Sequence, residues 1–163
     1  MQAKSIKLPG PDHPITITPN PARVTVSLAG RIIADTREAL TLREASYPAV
    51  QYIPRKDVDM SLLQRTDHAT YCPYKGDCAY YSIPSGGKRS ANAVWTYEAP
   101  YAAVAEIKDH LAFYPYRVDE IKEQNPNGPS EECWTILEAN PLALLGDGPL
   151  FVGYTVSSLD VVL

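Results

Sequence analysis

Fifteen prolines spread along 163 residues restrict this chain more than any other feature of its sequence. That is about twice the roughly 5% share usual in globular proteins. Proline has no backbone N–H, and its ring clashes with the preceding helical turn, so long helices are excluded from most of the chain. The prediction is a mainly β protein, rich in loops, with helix confined to short turns. Eleven tyrosines against two phenylalanines point the same way. Tyrosine suits a pleated strand surface, and it suits half-wet sites where the ring is covered and the hydroxyl needs a partner.

The length is that of one domain with a substantial core. The formal charge is -4 and the basic residues are scattered. No basic stripe matches a phosphate backbone, so nucleic acid is not an expected partner. No stretch approaches the ~18 apolar residues of a membrane span. The segment Met1 to Gly10 lacks the apolar centre of a signal peptide. A cytoplasmic location without a membrane partner is the expectation. Three cysteines, an odd number, fit a reducing compartment better than a disulfide framework.

Read along the chain, residues 1–14 hold Pro9, Gly10, Pro11 and Pro14 and predict an extended arm. Residues 15–18 alternate as a short strand. Residues 23–28 and 31–34 flank Ala29-Gly30 as a hairpin. Residues 40–44 form a third strand. Residues 47–55, with prolines near both ends, predict an edge strand or extended loop. Residues 57–63 read as one helical turn capped by Asp57, with Met60 and Leu63 facing inward. Residues 78–83 and 91–97 predict a hairpin that opposes Ala79 to Trp95 and Tyr81 to Ala93. A one-residue slip would reverse its faces. Residues 102–107 form a short helix or turn, and residues 111–114 a last core strand. A break at 125–129 ends the β domain of residues 1–125. The extension, residues 126–163, is too apolar for disorder and is expected to dock on the domain or on a partner, a homodimer included.

The run Thr70-Tyr71-Cys72-Pro73-Tyr74-Lys75-Gly76-Asp77 places a thiol, phenols, an ammonium and a glycine side by side. Taken with Arg23, Gly30, Ala34-Asp35-Thr36, Glu44, Tyr47-Pro48, Tyr52-Ile53-Pro54-Arg55, Asp57-Val58, Ala79-Tyr80-Tyr81, Trp95, Tyr97 and Phe113-Tyr114, the chain resembles a bacterial and fungal family. It is catalogued as domain of unknown function family 427, and some members carry a nucleotidyltransferase label. The resemblance runs from about residue 12 to about residue 125. It implies a compact antiparallel β domain of β-tent topology. Paired Cys-x-x-Cys knuckles, common in the β-tent group, are missing here, so a zinc site does not carry over.

Several residues are candidates for chemistry. Cys72 becomes a nucleophile if Lys75 lowers its pKa, or it is a thiol packed behind Pro73. Lys75-Gly76 offers an anion contact, or simply a lysine on a turn. Asp57 and Asp59 hold a magnesium ion if they share a strand face, but diverge on a helical turn. Residues 85–90 imitate a phosphate cradle, and a flexible hairpin loop explains them better. Cys72 and Cys78 have no partner spacing for a metal, so no metal site is expected. Glu44, Tyr52, Arg55, Trp95 and Tyr97 could line one aromatic-walled pocket bordered also by Cys72 and Lys75, with Glu44–Arg55 as an ion pair the competing reading. A desolvated, unpaired Glu44 would act as a general acid or base.

The leading functional expectation is binding or transformation of a small polar, anionic metabolite. Glu44, Cys72 and Lys75 are the catalytic candidates, and Tyr52, Arg55, Tyr74, Trp95 and Tyr97 the ligand contacts. The alternatives are a non-catalytic protein-interaction module, a thiol redox protein centred on Cys72, and a metal-dependent nucleotidyltransferase. The sequence names no cofactor.

Overall fold

Strand-forming residues punctuated by turn residues produce ten strands among the described residues, 4–126 of a computed structural model. They are β1 (Ile15–Pro19), β2 (Arg23–Leu28), β3 (Arg31–Thr36), β4 (Leu40–Glu44), β5 (Val50–Pro54), β6 (Gln64–Cys72), β7 (Gly76–Ser82), β8 (Val94–Thr96), β9 (His110–Phe113) and β10 (Glu120–Gln124). Every helical segment among the described residues is a short 3-10 turn, as the proline load requires. None is long and apolar enough to cross a membrane.

The strands form two antiparallel sheets. One has seven strands in the order β1-β4-β5-β9-β8-β7-β6, and the other three in the order β10-β2-β3. Alternate residues of the large sheet enter two cores on opposite faces. Ile53, Tyr81, Val94, Leu111 and Phe113 pack against Val24, Val26 and Leu28 of β2 and Ile33 of β3. Tyr52, Cys78, Tyr80 and Ala112 face the other way, against Tyr97 and the 3-10 segment Ala102–Ile107 through Val104 and Ile107. The β2–β3 hairpin forms as predicted. Its turn residues Ala29 and Gly30 have φ of 51° and 73°, the left-handed pair that a twisted hairpin prefers.

Several expectations are corrected. The 47–55 segment is not an edge: β5 lies between β4 and β9. Pro48 precedes the strand and Pro54 is its last residue, so neither interrupts the ladder. Residues 57–63 are not one turn capped by Asp57. Two 3-10 turns, Arg55–Asp57 and Met60–Leu62, are split by an extended Val58 that bridges to Ala34. Asp59 is the cap, accepting from the Ser61 N–H, while Asp57 accepts from the Thr36 hydroxyl at 2.6 Å. Met60 and Leu63 do pack against the first core, half-buried. The arm is not fully extended, because Gly10 and His13 exchange backbone hydrogen bonds in a tight turn.

The register between β7 and β8 is slipped by one, pairing Tyr80 with Trp95 and Tyr81 with Val94. The cause is the asymmetric connection. Asn92, at φ 50°, adds a left-handed residue before β8, and its N–H donates to the Ser82 hydroxyl. Trp95 therefore shares a face with Tyr80 rather than Tyr81. Two strands escape the sequence reading. β6 and β10 are edge strands of mostly polar residues with no fully buried side chain, so they lack the alternation that marks a half-buried strand. Residues 111–114 fall largely in β9, the last strand with buried side chains, and β10 follows it at the edge of the smaller sheet. The predicted docking of residues 126–163 lies outside the described residues, Pro126 excepted.

The 84–90 loop is packed rather than loose. A Cβ on Gly86 would lie 2.6 Å from Ser90 Cβ and 2.8 Å from Leu28 Cδ2. Ser90 is fully buried and its hydroxyl donates to the Arg117 carbonyl, so it cannot swing away. Gly86→Ala should cost about 1–3 kcal/mol by overpacking, measured by urea denaturation.

Candidate functional site

The site begins at the turn that joins β6 to β7. Cys72 pairs with Gly76, and the Lys75 N–H donates to the Cys72 carbonyl at 3.3 Å. Gly76 has φ 108°, a conformation that L residues rarely adopt, and a Cβ there would touch the Ala99 carbonyl at 3.4 Å. This turn folds Lys75 inward, leaving 9% of its side chain exposed. Its ammonium pairs with Glu44 at the end of β4 and lies 6.0 Å from the Tyr97 ring centre. The second Glu44 oxygen accepts from His13 Nε2 at 2.9 Å, and the His13 ring stacks on Tyr74 at 4.1 Å.

Burial pushes the Glu44 carboxyl upward, but the hydrogen bonds from Lys75 and His13 outweigh it and hold the pKa below the ordinary glutamate value. Glu44 is therefore a paired carboxylate, and the condition for a general acid, burial without a partner, is not met.

Aromatic rings continue the site. Trp95 Nε1 donates to the Tyr52 hydroxyl at 3.2 Å, with the two rings nearly perpendicular at 86°. Tyr114 packs on Trp95 at 4.4 Å between centroids. Burial raises the phenol pKa of Tyr52, Tyr80 and Tyr97, so these walls are neutral. The rings and the Glu44–Lys75 pair border a cleft of about 1030 Å³. Among the predicted residues, Glu44, Tyr52, Lys75, Trp95 and Tyr97 line it. Tyr47, Tyr80, Tyr114, Asp119, Glu120 and Glu123 also line it, though sequence reasoning did not select them for a pocket.

Arg55, Cys72 and Tyr74 do not line the cleft. The Glu44–Arg55 ion pair does not form either. Leu42 pairs with Val50, so Glu44 sits beyond the start of β5 while Arg55 follows its end. At ~3.3 Å per residue the two are about 20 Å apart along the strand. Arg55 instead lies over the Tyr81 ring and contacts its hydroxyl at 3.4 Å.

Cys72 is half-buried and packs against the second core. Cys78 pairs with Thr70, making it the diagonal neighbour of Cys72 across the hairpin. Diagonal Cα atoms stand ~7–8 Å apart, beyond the usual disulfide span of ~4.4–6.8 Å. Burial also raises the Cys78 thiol pKa, which disfavours the thiolate a resolving cysteine needs. Asp57 and Asp59 are held separately, by Thr36 and Ser61. No group of three His, Cys, Asp or Glu side chains converges as metal ligands among the described residues.

His13 is the central residue that sequence reasoning missed. It lies 31 positions from Glu44, and no local pattern announces the contact. The link is made by backbone: the Ala45 N–H donates to the Pro14 carbonyl, tying the arm to the end of β4.

A family described as Domain of unknown function (DUF427) matches residues 16–124, from β1 through the last residue of β10. The chain belongs to that family. In this DUF427 domain the match therefore covers both sheets and most of the cleft, while His13 precedes it. The family's short name carries a nucleotidyltransferase label. No curated protein matches the chain.

Proposed function

We propose that this DUF427 protein is a ligand-binding domain whose cleft takes a small polar organic molecule. One observation carries this reading. Aromatic side chains and a buried, fully paired ionic group converge on a single cleft, the usual composition of a small-molecule site. The cleft volume is at the upper end of the ~300–1,000 Å³ typical of such sites. Trp95 and Tyr114 supply planar contact area, and both keep partial exposure. Glu44, Lys75 and His13 form a polar corner whose hydrogen bonds are made before a ligand arrives.

Two of the alternatives lose their local support. The Asp57 and Asp59 carboxylates do not converge, so the nucleotidyltransferase label finds no carboxylate pair in them. The Cys72 and Cys78 arrangement does not favour a thiol–disulfide cycle, for the geometric reason given above. The anionic ligand expected from the sequence also lacks one of its expected basic contacts, since Arg55 is at the far end of β5.

The test is a thermal-shift panel of amines, carboxylates, sugar phosphates and nucleotides. A ligand at ~100 times its dissociation constant should add about 2.7 kcal/mol. Trp95→Leu is expected to abolish the shift and to cost the unliganded fold about 1–3 kcal/mol, because the buried Tyr52 hydroxyl loses its donor. A full shift retained in Trp95→Leu would place the ligand elsewhere.

A further inference from the structure

We infer that the ligand of this cleft is cationic, an alkylammonium or guanidinium compound. The inference rests on the cleft being the ligand site and concerns the class of molecule it takes. The charges that line the cleft are four carboxylates, Glu44, Asp119, Glu120 and Glu123, against the single ammonium of Lys75. Glu44 already neutralises Lys75, and the exposed Asp119 pairs with Arg89. Glu123 accepts a hydrogen bond from the neutral Asn20 amide at 3.0 Å. Glu120 has no side-chain partner among the described residues.

An anion entering this space would meet lining carboxylates, and the one lining ammonium, Lys75, is already paired with Glu44. A cation would meet two carboxylates that lack a cationic partner, together with neutral aromatic rings whose faces attract positive charge. The protein already uses the same contact internally. Lys75 sits 6.0 Å from the Tyr97 ring centre, and Arg117 lies 5.7 Å from that of Tyr114. Trp95, the strongest π-face available, belongs to the same lining.

The experiment compares probes of equal shape and different charge on the full chain, by isothermal titration and ligand-observed NMR. Choline is set against its neutral isostere 3,3-dimethylbutan-1-ol, and butylguanidinium against pentanoate. The cation of each pair should bind at least about tenfold more tightly, the scale of a partly desolvated cation–π contact. Its affinity should fall with added salt and drop severalfold in the Glu120→Gln/Glu123→Gln variant. Both substituted residues are exposed strand positions, so the variant should fold.

Equal binding of choline and its isostere, or tighter binding of pentanoate, overturns the charge assignment. If that binding is still lost in Trp95→Leu, the cleft remains the ligand site. Failure of both cations to bind at millimolar concentration also overturns the inference, and the thermal-shift panel then decides separately whether the cleft binds anything.

Discussion

Lys75→Met is expected to destabilise the protein by about 3–5 kcal/mol at neutral pH, the usual consequence of removing one partner from a buried ion pair. The physical reason is the carboxylate left behind. Glu44 has 16% of its side chain exposed, and Lys75 is one of the two residues that hydrogen-bond its carboxylate, His13 being the other. Without Lys75, the burial that opposes its ionisation is balanced by His13 alone. The double variant Glu44→Leu/Lys75→Met should recover most of the loss, since it leaves no uncompensated charge in the site. Urea denaturation of the four proteins of this cycle measures the coupling directly. Additive losses would mean that the pair contributes nothing as a pair.

The same carboxylate sets an acid dependence. The folded pKa of Glu44 lies below its ordinary value of 4.5. Its contribution to stability is therefore complete above that value and is lost as pH falls through the folded pKa. Glu44→Gln should flatten this part of the acid limb. The carboxylates of Asp35, Glu98 and Asp119, also held low by their partners, remain in the variant and set its baseline. Lys75→Met should flatten the limb in the same direction, because burial raises the Glu44 pKa and the strongest opposing contact has gone. Stability measured from pH 7 to pH 3 tests both.

Leu111→Ala is expected to be the second large effect, about 2–5 kcal/mol, read as a fall in the urea midpoint without loss of cooperativity. Leu111 is fully buried on β9, opposite Ile53 of β5, in the core that joins the two sheets. Its neighbour Ala112 points into the other core, beside Trp95. A cavity at Leu111 therefore opens on the face away from Trp95. Ligand binding should persist in Leu111→Ala under conditions where it remains folded, whereas Trp95→Leu should lose binding at a stability cost of about 1–3 kcal/mol from the unpaired Tyr52 hydroxyl. An equal loss of binding in both would mean that the aromatic wall is not a separate functional unit.

The class of fold was legible because proline chemistry is local. A missing N–H and a fixed φ act wherever proline stands, so short 3-10 turns and strands follow from residue identity. The β2–β3 hairpin was legible for the same reason, since alternation and a glycine-containing turn both act over a few residues. Much of the cleft was legible too, because Glu44, Tyr52, Lys75, Trp95 and Tyr97 were selected by chemical type. Edge strands β6 and β10 were not, since solvent on their outer sides removes the alternation that marks a strand. The slipped β7–β8 register depended on the left-handed Asn92, which composition does not reveal.

Tertiary structure decided which charges meet. Antiparallel pairing of β4 with β5 sends Glu44 and Arg55 to opposite ends, whereas the Cys72–Gly76 turn brings Lys75 to Glu44. The tether of Pro14 to Ala45 adds His13, and β10 brings Glu120 and Glu123 to the aromatic wall. The sequence by itself determined most of the strands, the β2–β3 turn and the stock of aromatic and ionisable side chains. Only the fold decided their pairings, because Coulomb and hydrogen-bond energies depend on distances that strand order and register impose, and those rest on contacts between residues far apart in the chain.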